Sequence, residues 1–440
     1  MLIGFSKEAA TSRRVAIPDL LWRRRSGRRP LSAGEMTKVR NPVRVLELRS
    51  VRGTGGGPEK TILAGAAGMN PARAAVTVCY LRDERDPAFA IDTRAADLGV
   101  EYVEVRERHS FDPSVWRPLV DIVRARAIDI VHAHDYKTDF IALALARATG
   151  AMALSTVHGW IHDSWRERRI YAPADRWLLR WYPRVIAVSD VIRTTLVSYG
   201  VKAERITTLL NGIDPLHFRR NPGQVADARR EVGLEPGQLA IGAVGRLEPV
   251  KRFDVLLEAV ARLQQQAPSP RLFIVGDGSL RAPLGALAAQ LGVDASFLGH
   301  RVDIVRLHHA FDVFVQSSDS EGTPNAVLEA MALETPIVAT DAGGTRGIVT
   351  DDLHGLIVPR GDAAALAAAI GRTSVDRDAA LARAKCARGR VERELSFDER
   401  TRRLEGVYEE LAAARRDRSA PTVDFSVRAD NSLRAHTKRN

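Results

Sequence analysis

Short apolar runs recur along the chain at 43–48, 75–81, 101–105, 129–132, 152–157, 184–188 and 206–209, and stretches of helical period such as 135–149 and 189–199 lie between most of them. A glycine loop, Gly53-Thr-Gly-Gly-Gly57, follows the first run, and Pro58 stands at a favoured first-turn position of a helix. Alternation of this kind predicts a parallel sheet covered on both faces. The pattern pauses at Asn211-Gly-Ile-Asp214, and the polar stretch 215–237, with Pro215, Pro222 and Pro236, reads as a linker. It then restarts, with strands expected at 239–244, 271–275, 296–298, 312–315, 336–339 and 355–358, and helices at 252–265, 279–290, 322–333, 363–371 and 376–390. A last helix, 397–412, starts after Ser396, a good N-cap, and is expected to cross back. The chain is thus α/β, with two tandem Rossmann-like domains, 41–212 and 213–396, facing each other across a cleft. Such sheets bind ligands beyond the C-terminal ends of their strands.

Charge changes this picture little. The net charge is +11, but residues 1–40 contribute +7 and residues 413–440 contribute +4, leaving 41–412 balanced with 48 basic and 48 acidic residues. A neutral body with basic ends is not the footprint of a nucleic-acid binder. Both ends read as disordered extensions. Ser12-Arg13-Arg14 lacks the apolar segment an export signal needs, and Met36 stands just before the first strand as an alternative start. The two cysteines, Cys79 and Cys386, are far apart, which excludes a disulfide framework and fits a reducing, cytoplasmic setting. No apolar run is long enough to span a bilayer.

Candidate chemistry lies at the strand ends. After 312–316 comes Ser317-Ser-Asp-Ser-Glu321-Gly-Thr-Pro-Asn-Ala-Val-Leu-Glu329, in which Pro324 and Asn325 open a helix whose free amides and positive dipole end suit an anion. Eight helical residues span about 12 Å, too far for the ~5 Å carboxylate pair of a retaining hydrolase. Two acids gripping different parts of one long ligand fit better; the plainer alternative is an N-cap acid plus a surface glutamate. The loop Gly245-Arg246-Leu-Glu-Pro-Val-Lys251 pairs a close-approach glycine with two cations suited to a diphosphate. Gly53–Gly57 is flexible enough to wrap a phosphate but has neither P-loop nor dinucleotide spacing, and Gly276-Asp-Gly278 has Arg281 where a dinucleotide turn needs glycine. His158 ends a strand and should point into the cleft. His132 and His134 share a strand face, but no third ligand is evident, so no metal site is expected.

In this order the motifs resemble the retaining glycosyltransferases of group 1, or glycosyltransferase family 4, which have the GT-B fold; the likeness covers roughly 43–412. Its most specific part is the E-x7-E pair, Glu321 and Glu329. Gly245-Arg246…Lys251 resembles the family's diphosphate loop, and Gly55-Gly56-Gly57 its N-terminal glycine loop. Val185-Ile-Ala-Val-Ser189 and Leu210-Asn-Gly-Ile-Asp214-Pro-Leu-His-Phe218 are similar to stretches flanking its hinge. Gly343-Gly-Thr-Arg-Gly347 departs from the common Gly-Gly-x-x-Glu. The resemblance implies a UDP- or GDP-sugar donor held by Gly55, Gly56, Gly245, Arg246, Lys251, Glu321, Gly322, Pro324, Asn325, Ala326 and Glu329. Glu329 would take the ribose, Glu321 the sugar, Arg246 and Lys251 the diphosphate, and His158 the region of the anomeric centre. It implies no metal and no cofactor, and an acceptor that is a carbohydrate or lipid-linked, as in polysaccharide or glycolipid assembly. Alternatives are a nucleotide-sugar 2-epimerase on the same fold and an inactive nucleotide-sugar-binding protein; a dehydrogenase is disfavoured.

One segment bears on where such an enzyme works. Trp160, Trp165, Trp177 and Trp181 are interleaved with Arg166, Arg168, Arg169, Arg176, Arg180 and Arg184. Aromatic residues at helical spacing usually pack inward, and core is the expectation here. The competing reading is a peripheral contact with the inner membrane face.

Overall fold

The computed structural model describes residues 41–419 except 52, 54, 111, 160–168, 170 and 265–268. The expected extension 1–40 and residues 420–440 of the expected tail lie outside the described residues, as do Trp160, Trp165, Arg166 and Arg168.

The first sheet contains β1 (Val43–Ser50), β2 (Ala74–Asp83), β3 (Tyr102–Glu107), β4 (Ile130–Ala133), β5 (Met152–Val157), β6 (Arg184–Ala187) and β7 (Ile206–Thr208). Its strands are all parallel, in the order β3-β2-β1-β4-β5-β6-β7. The second contains β8 (Ala240–Val244), β9 (Arg271–Val275), β10 (Ala295–Gly299), β11 (Val313–Gln316), β12 (Ile337–Thr340) and β13 (Leu356–Val358), also parallel, in the order β10-β9-β8-β11-β12-β13. The pattern explains both. β4, β5, β11 and β12 are buried along their whole length, as a strand covered on both faces must be. Strand order reverses between β1 and β4 and between β8 and β11, and these switch points open the crevices in which doubly wound sheets hold ligands.

Three boundaries differ from expectation. The stretch 215–237 is no free linker: its helix Val225–Glu231 buries Ala228 against Ala240, Phe273 and Phe311, and Arg229 pairs with Asp312. The helix expected from residue 322 begins at Asn325, with Pro324 as its N-cap. The last helix runs from Phe397 to Ser419, past the expected end at 412, and Arg415 ties it to Asp129 and the Gly150 carbonyl. This helix does cross back. Leu404, Val407, Tyr408 and Leu411 fill one cluster with Val45, Ile130, Leu154 and Ile186 of the first sheet. Truncating one such buried leucine to alanine costs about 2–5 kcal/mol.

The chain leaves the first domain at 210–213 and returns at 395–397, and these passages are laced together. Ile213 N donates to Leu395 O (3.0 Å), and Phe397 N to Ile213 O (2.9 Å). Gly212 has to be glycine there, because a Cβ would lie 2.9 Å from Ser396 O.

Candidate active site

The C-terminal half of the site forms at the β8/β11 switch point. Lys251 Nζ bonds Glu321 Oε1 at 2.6 Å, and Ser318 Oγ donates to the same oxygen at 2.6 Å. Glu321 is therefore not an N-cap acid. Arg246, just past β8, is exposed and has no ionic partner among the described residues. Gly245 is fixed by its amide to Val275 O (2.9 Å), and Leu247 N by Asp277 O (3.0 Å), so the Gly276-Asp277-Gly278 turn braces the cationic loop. The amides of Asn325 and Ala326, at the positive end of the helix Asn325–Ala332, make no hydrogen bond among the described residues. Glu329 lies on that helix but is no surface glutamate. It is 7% exposed, its carboxylate accepts no hydrogen bond among the described residues, and the one cation it meets there is Lys60 Nζ, 3.9 Å away across the cleft. Burial raises its pKa, against the pull of Lys60.

The departure from Gly-Gly-x-x-Glu leaves the glycine pair with a packing role. Gly344 N donates to Glu321 O (3.0 Å), and a side chain at Gly344 would collide with Gly322 O. Gly347 offers no carboxylate.

The acidic loop touches the other domain directly. A Cβ on Gly322 would lie 2.8 Å from His158 O, and Thr323 Oγ1 donates to Val188 O. Asn211 Nδ2 donates to Asn325 Oδ1 (3.1 Å). The structure thus brings Gly322 against His158 and Asn325 against Asn211 of the first domain's exit. The glycine loop comes close as well: a Cβ on Gly57 would lie 3.1 Å from Asn325 Nδ2. This loop is less open to phosphate than its sequence implies. The Gly56 amide is taken by Glu59, whose carboxylate pairs with Arg49, and Gly53 N donates to Asp86. Gly55 N remains without a partner among the described residues.

His158 directly follows β5 and is partly exposed. Its pKa is held well below the usual histidine range by burial, then by His134 and Arg49, so the ring is neutral at pH 7. His134 Nδ1 lies 3.1 Å from His158 Nε2. The third group that the sequence did not show beside His132 and His134 is Glu47, on β1, next to β4 in the sheet. Burial pushes the Glu47 carboxyl up, but His132 and His134 outweigh it and hold the group well below its usual range. Glu47, Lys60 and Tyr408 were all missed. Their only sequence signals are a glutamate amid an apolar strand and a tyrosine on a helix not known to reach this site.

Two family models match: Glycosyltransferase Family 4 over residues 55–216, and Glycosyl transferases group 1 over residues 224–389. The putative glycosyltransferase EpsD of Bacillus subtilis (strain 168) is 32% identical over 275 residues, covering 59% of this chain and 72% of that one. The chain belongs to the group 1 glycosyltransferases of family 4. The glycogen synthase of Mycobacterium tuberculosis H37Rv is 30% identical to this glycosyltransferase over 78% of the chain and 81% of its own length. The D-inositol 3-phosphate glycosyltransferase of Nocardia farcinica is 35% identical, but the chain spans only 48% of it. Among solved structures, Anabaena Alr3699/HepE in complex with UDP superposes with a TM-score of 0.74 at 21% identity, over 84% of this chain and all of that one. The same protein with UDP-glucose gives 0.73 at 21% identity, over 83% and 99% of the two chains. The likeness places the enzyme in the GT-B fold. No helix among the described residues is long and apolar enough to cross a membrane.

The aromatic segment corrects the expectation of core. Trp177 and Trp181 are 54% and 56% exposed, and their rings meet edge to face at 5.8 Å. They end the short helical stretch 172–181, whose inner side is already filled by Leu179 beside Tyr182. The arginines turn away instead. Arg176 stacks on Tyr199 at 4.2 Å, and Arg180 donates to the Tyr199 carbonyl.

Proposed function

We propose that the enzyme takes a sugar from a nucleoside-diphosphate donor, UDP- or GDP-linked, and passes it to a carbohydrate acceptor with retention of anomeric configuration and without a metal. The observation that carries this reading is Glu329. A buried carboxylate with no hydrogen-bond donor is costly, and the hydroxyls of a ribose are donors that would satisfy it. Lys251, bonded to Glu321, would meet the diphosphate together with Arg246 from the same loop and the free amides of Asn325 and Ala326, and His158 would lie by the sugar. The cations and the helix dipole would stabilise the diphosphate as it departs, the electrostatic work a metal does elsewhere. Retention would follow from acceptor attack on the face the leaving group vacates, through an oxocarbenium-like state. The HepE complexes with UDP and UDP-glucose support a nucleotide-sugar donor. The test is turnover of UDP- and GDP-sugars in the presence of EDTA, with the product's anomeric configuration read by NMR. An inverted product, an absolute need for Mg²⁺ or Mn²⁺, or conversion of the donor without acceptor, which marks a 2-epimerase, would each refute it.

On the acceptor side, the exposed Trp177 and Trp181, with Phe140 (54% exposed) and the stacked Tyr136 and Tyr171, make an aromatic surface on the N-terminal domain. Rings of this kind settle among lipid headgroups, which favours a lipid-linked acceptor at the inner membrane face. Flotation with vesicles tests this part separately.

A further inference from the structure

Behind His158 a line of hydrogen bonds runs out of the cleft and into the crossover helix. His158 Nε2 lies 3.1 Å from His134 Nδ1, and His134 Nε2 bonds Glu47 Oε2. The other Glu47 oxygen lies 2.6 Å from the Tyr408 hydroxyl, which lies 2.9 Å from His132 Nδ1. His132 Nε2 ends the line 2.7 Å from Thr156 Oγ1. Glu47, His132, His134, Thr156 and Tyr408 are all buried. Glu47, His132 and His134 converge closely enough to surround a cation. Yet each ring nitrogen of both histidines already faces a protein or imidazole partner, and an ion would have to displace the Glu47–His134 bond. The arrangement is one of shared protons.

On the Glu47–His134–His158 branch the protons follow from an ionised Glu47 beside two neutral imidazoles. An ionised carboxylate only accepts, so the Tyr408 hydroxyl and His134 Nε2–H both donate to Glu47. A neutral imidazole carries a single N–H. His134, with its proton on Nε2, therefore offers a lone pair on Nδ1, and His158 must donate to it from Nε2. That leaves His158 Nδ1 as an acceptor, and among the described residues it has no hydrogen bond. On the other branch His132 Nδ1 lies 2.9 Å from the Tyr408 oxygen and 3.2 Å from Glu47 Oε2, and its Nε2 lies 2.7 Å from Thr156 Oγ1.

We propose that Glu47, acting through His134 and held from the crossover helix by Tyr408, is a positioning residue that fixes His158 as its Nε2–H tautomer, so that Nδ1 accepts a hydrogen bond from a hydroxyl of the transferring sugar. The link to the sugar rests on the reading of His158 given above; the tautomer does not. Neutral His158 cannot act as a general acid here. It orients the sugar, and its orientation is set by a carboxylate that never touches substrate.

The experiment is long-range 1H–15N correlation on the full chain labelled with [15N]histidine, with the His158 signals assigned by their loss in His158→Gln. The wild-type protein should show His158 protonated at Nε2 and unprotonated at Nδ1. Glu47→Leu should remove the network's hold on that tautomer and lower kcat by roughly 10–100-fold, the range known for loss of a carboxylate that orients a metal-bound histidine, with KM for the donor little changed. Tyr408→Phe should move both in the same direction by less. His158 protonated at Nδ1 in the wild type overturns the proposal, and this measurement needs no folded variant. An unchanged tautomer and kcat in Glu47→Leu overturns it, as does a stoichiometric metal whose removal by chelator shifts the His134 signals. If the tautomer is as stated but His158→Ala keeps full kcat, the relay stands and the catalytic reading of His158 fails.

Discussion

Replacing Glu329 by glutamine should make the empty enzyme more stable and the nucleotide complex weaker. The side chain is 9% exposed, accepts no hydrogen bond among the described residues, and has one cation, Lys60, at 3.9 Å with 64% of its own side chain in solvent. The carboxylate oxygens keep a little solvent contact, so part of the desolvation cost remains in place. The amide lacks the charge, and relief of about 1 kcal/mol in the empty enzyme is expected, from the 1–3 kcal/mol that an unsatisfied buried group costs. Hydrogen bonds to a charged group are worth about 1.5–3 kcal/mol, so losing the ribose contact should weaken nucleoside diphosphate binding by about 10- to 150-fold. The pH dependence has a definite sign. Burial raises the carboxyl's pKa, so its contribution to stability is fully present below the ordinary carboxylate range and is lost as pH rises through the raised value. Nucleotide affinity should run the other way, tightening as the group ionises, and should be flat over that range in Glu329→Gln. Calorimetry on a double-mutant cycle isolates the contact: wild type and Glu329→Gln, each with the nucleotide and its 2′,3′-dideoxy analogue. If removing the ribose hydroxyls costs both proteins the same, Glu329 does not hold the ribose and the reasoning is refuted.

Arg246→Ala and Lys251→Ala should each lower kcat by at least tenfold while activity persists in EDTA, because the charge they face grows toward the transition state; steady-state kinetics with chelator checks both. Burial lowers His134 to about 4 and His308 to about 3, while in the unfolded chain both titrate near 6.5. Stability should therefore be full above about pH 6.5 and fall as pH drops toward 4, by up to about 1.4 kcal/mol per pH unit for each buried histidine, as read by urea unfolding against pH. Trp177→Ala with Trp181→Ala should leave the melting temperature nearly unchanged, since both rings are exposed, yet reduce binding to vesicles containing anionic lipid in flotation; equal binding would remove the membrane reading.

The thirteen strands of the described residues were legible because most are covered on both faces and so appear as short apolar runs. The E-x7-E stretch and the Arg246–Lys251 loop were legible for a different reason: their residue types are poor core material placed directly after core strands. What escaped depended on pairings far apart in sequence. Glu47 meets His134 only because β1 lies beside β4, and Tyr408 reaches Glu47 only because the last helix crosses back. Lys60 faces Glu329 from the opposite domain. The glycine loop misled in another way, since nothing in Gly53–Gly57 says that Glu59 and Asp86 already occupy two of its amides. Helical spacing misled for Trp177 and Trp181, because a ten-residue helical stretch packs only one side, and Leu179 and Tyr182 took it.

The two laced chain passages make the second domain an insertion. Residues 214–395 enter and leave through neighbouring backbone at Ile213 and Ser396, while both flanks belong to the first sheet. On a ribosome the order of completion is then inverted. The residues of the first sheet are made first, but Leu404, Val407, Tyr408 and Leu411, which close its core, are made after the whole of the second domain. Until they emerge, Val45, Ile130 and Leu154 have no cover on that side, and the Glu47–His134 pair lacks its tyrosine. The second domain, whose ends already lie together, can close on its own before that. The domain written first is the last to be finished, and a chain released early would carry a folded second domain beside an open first one.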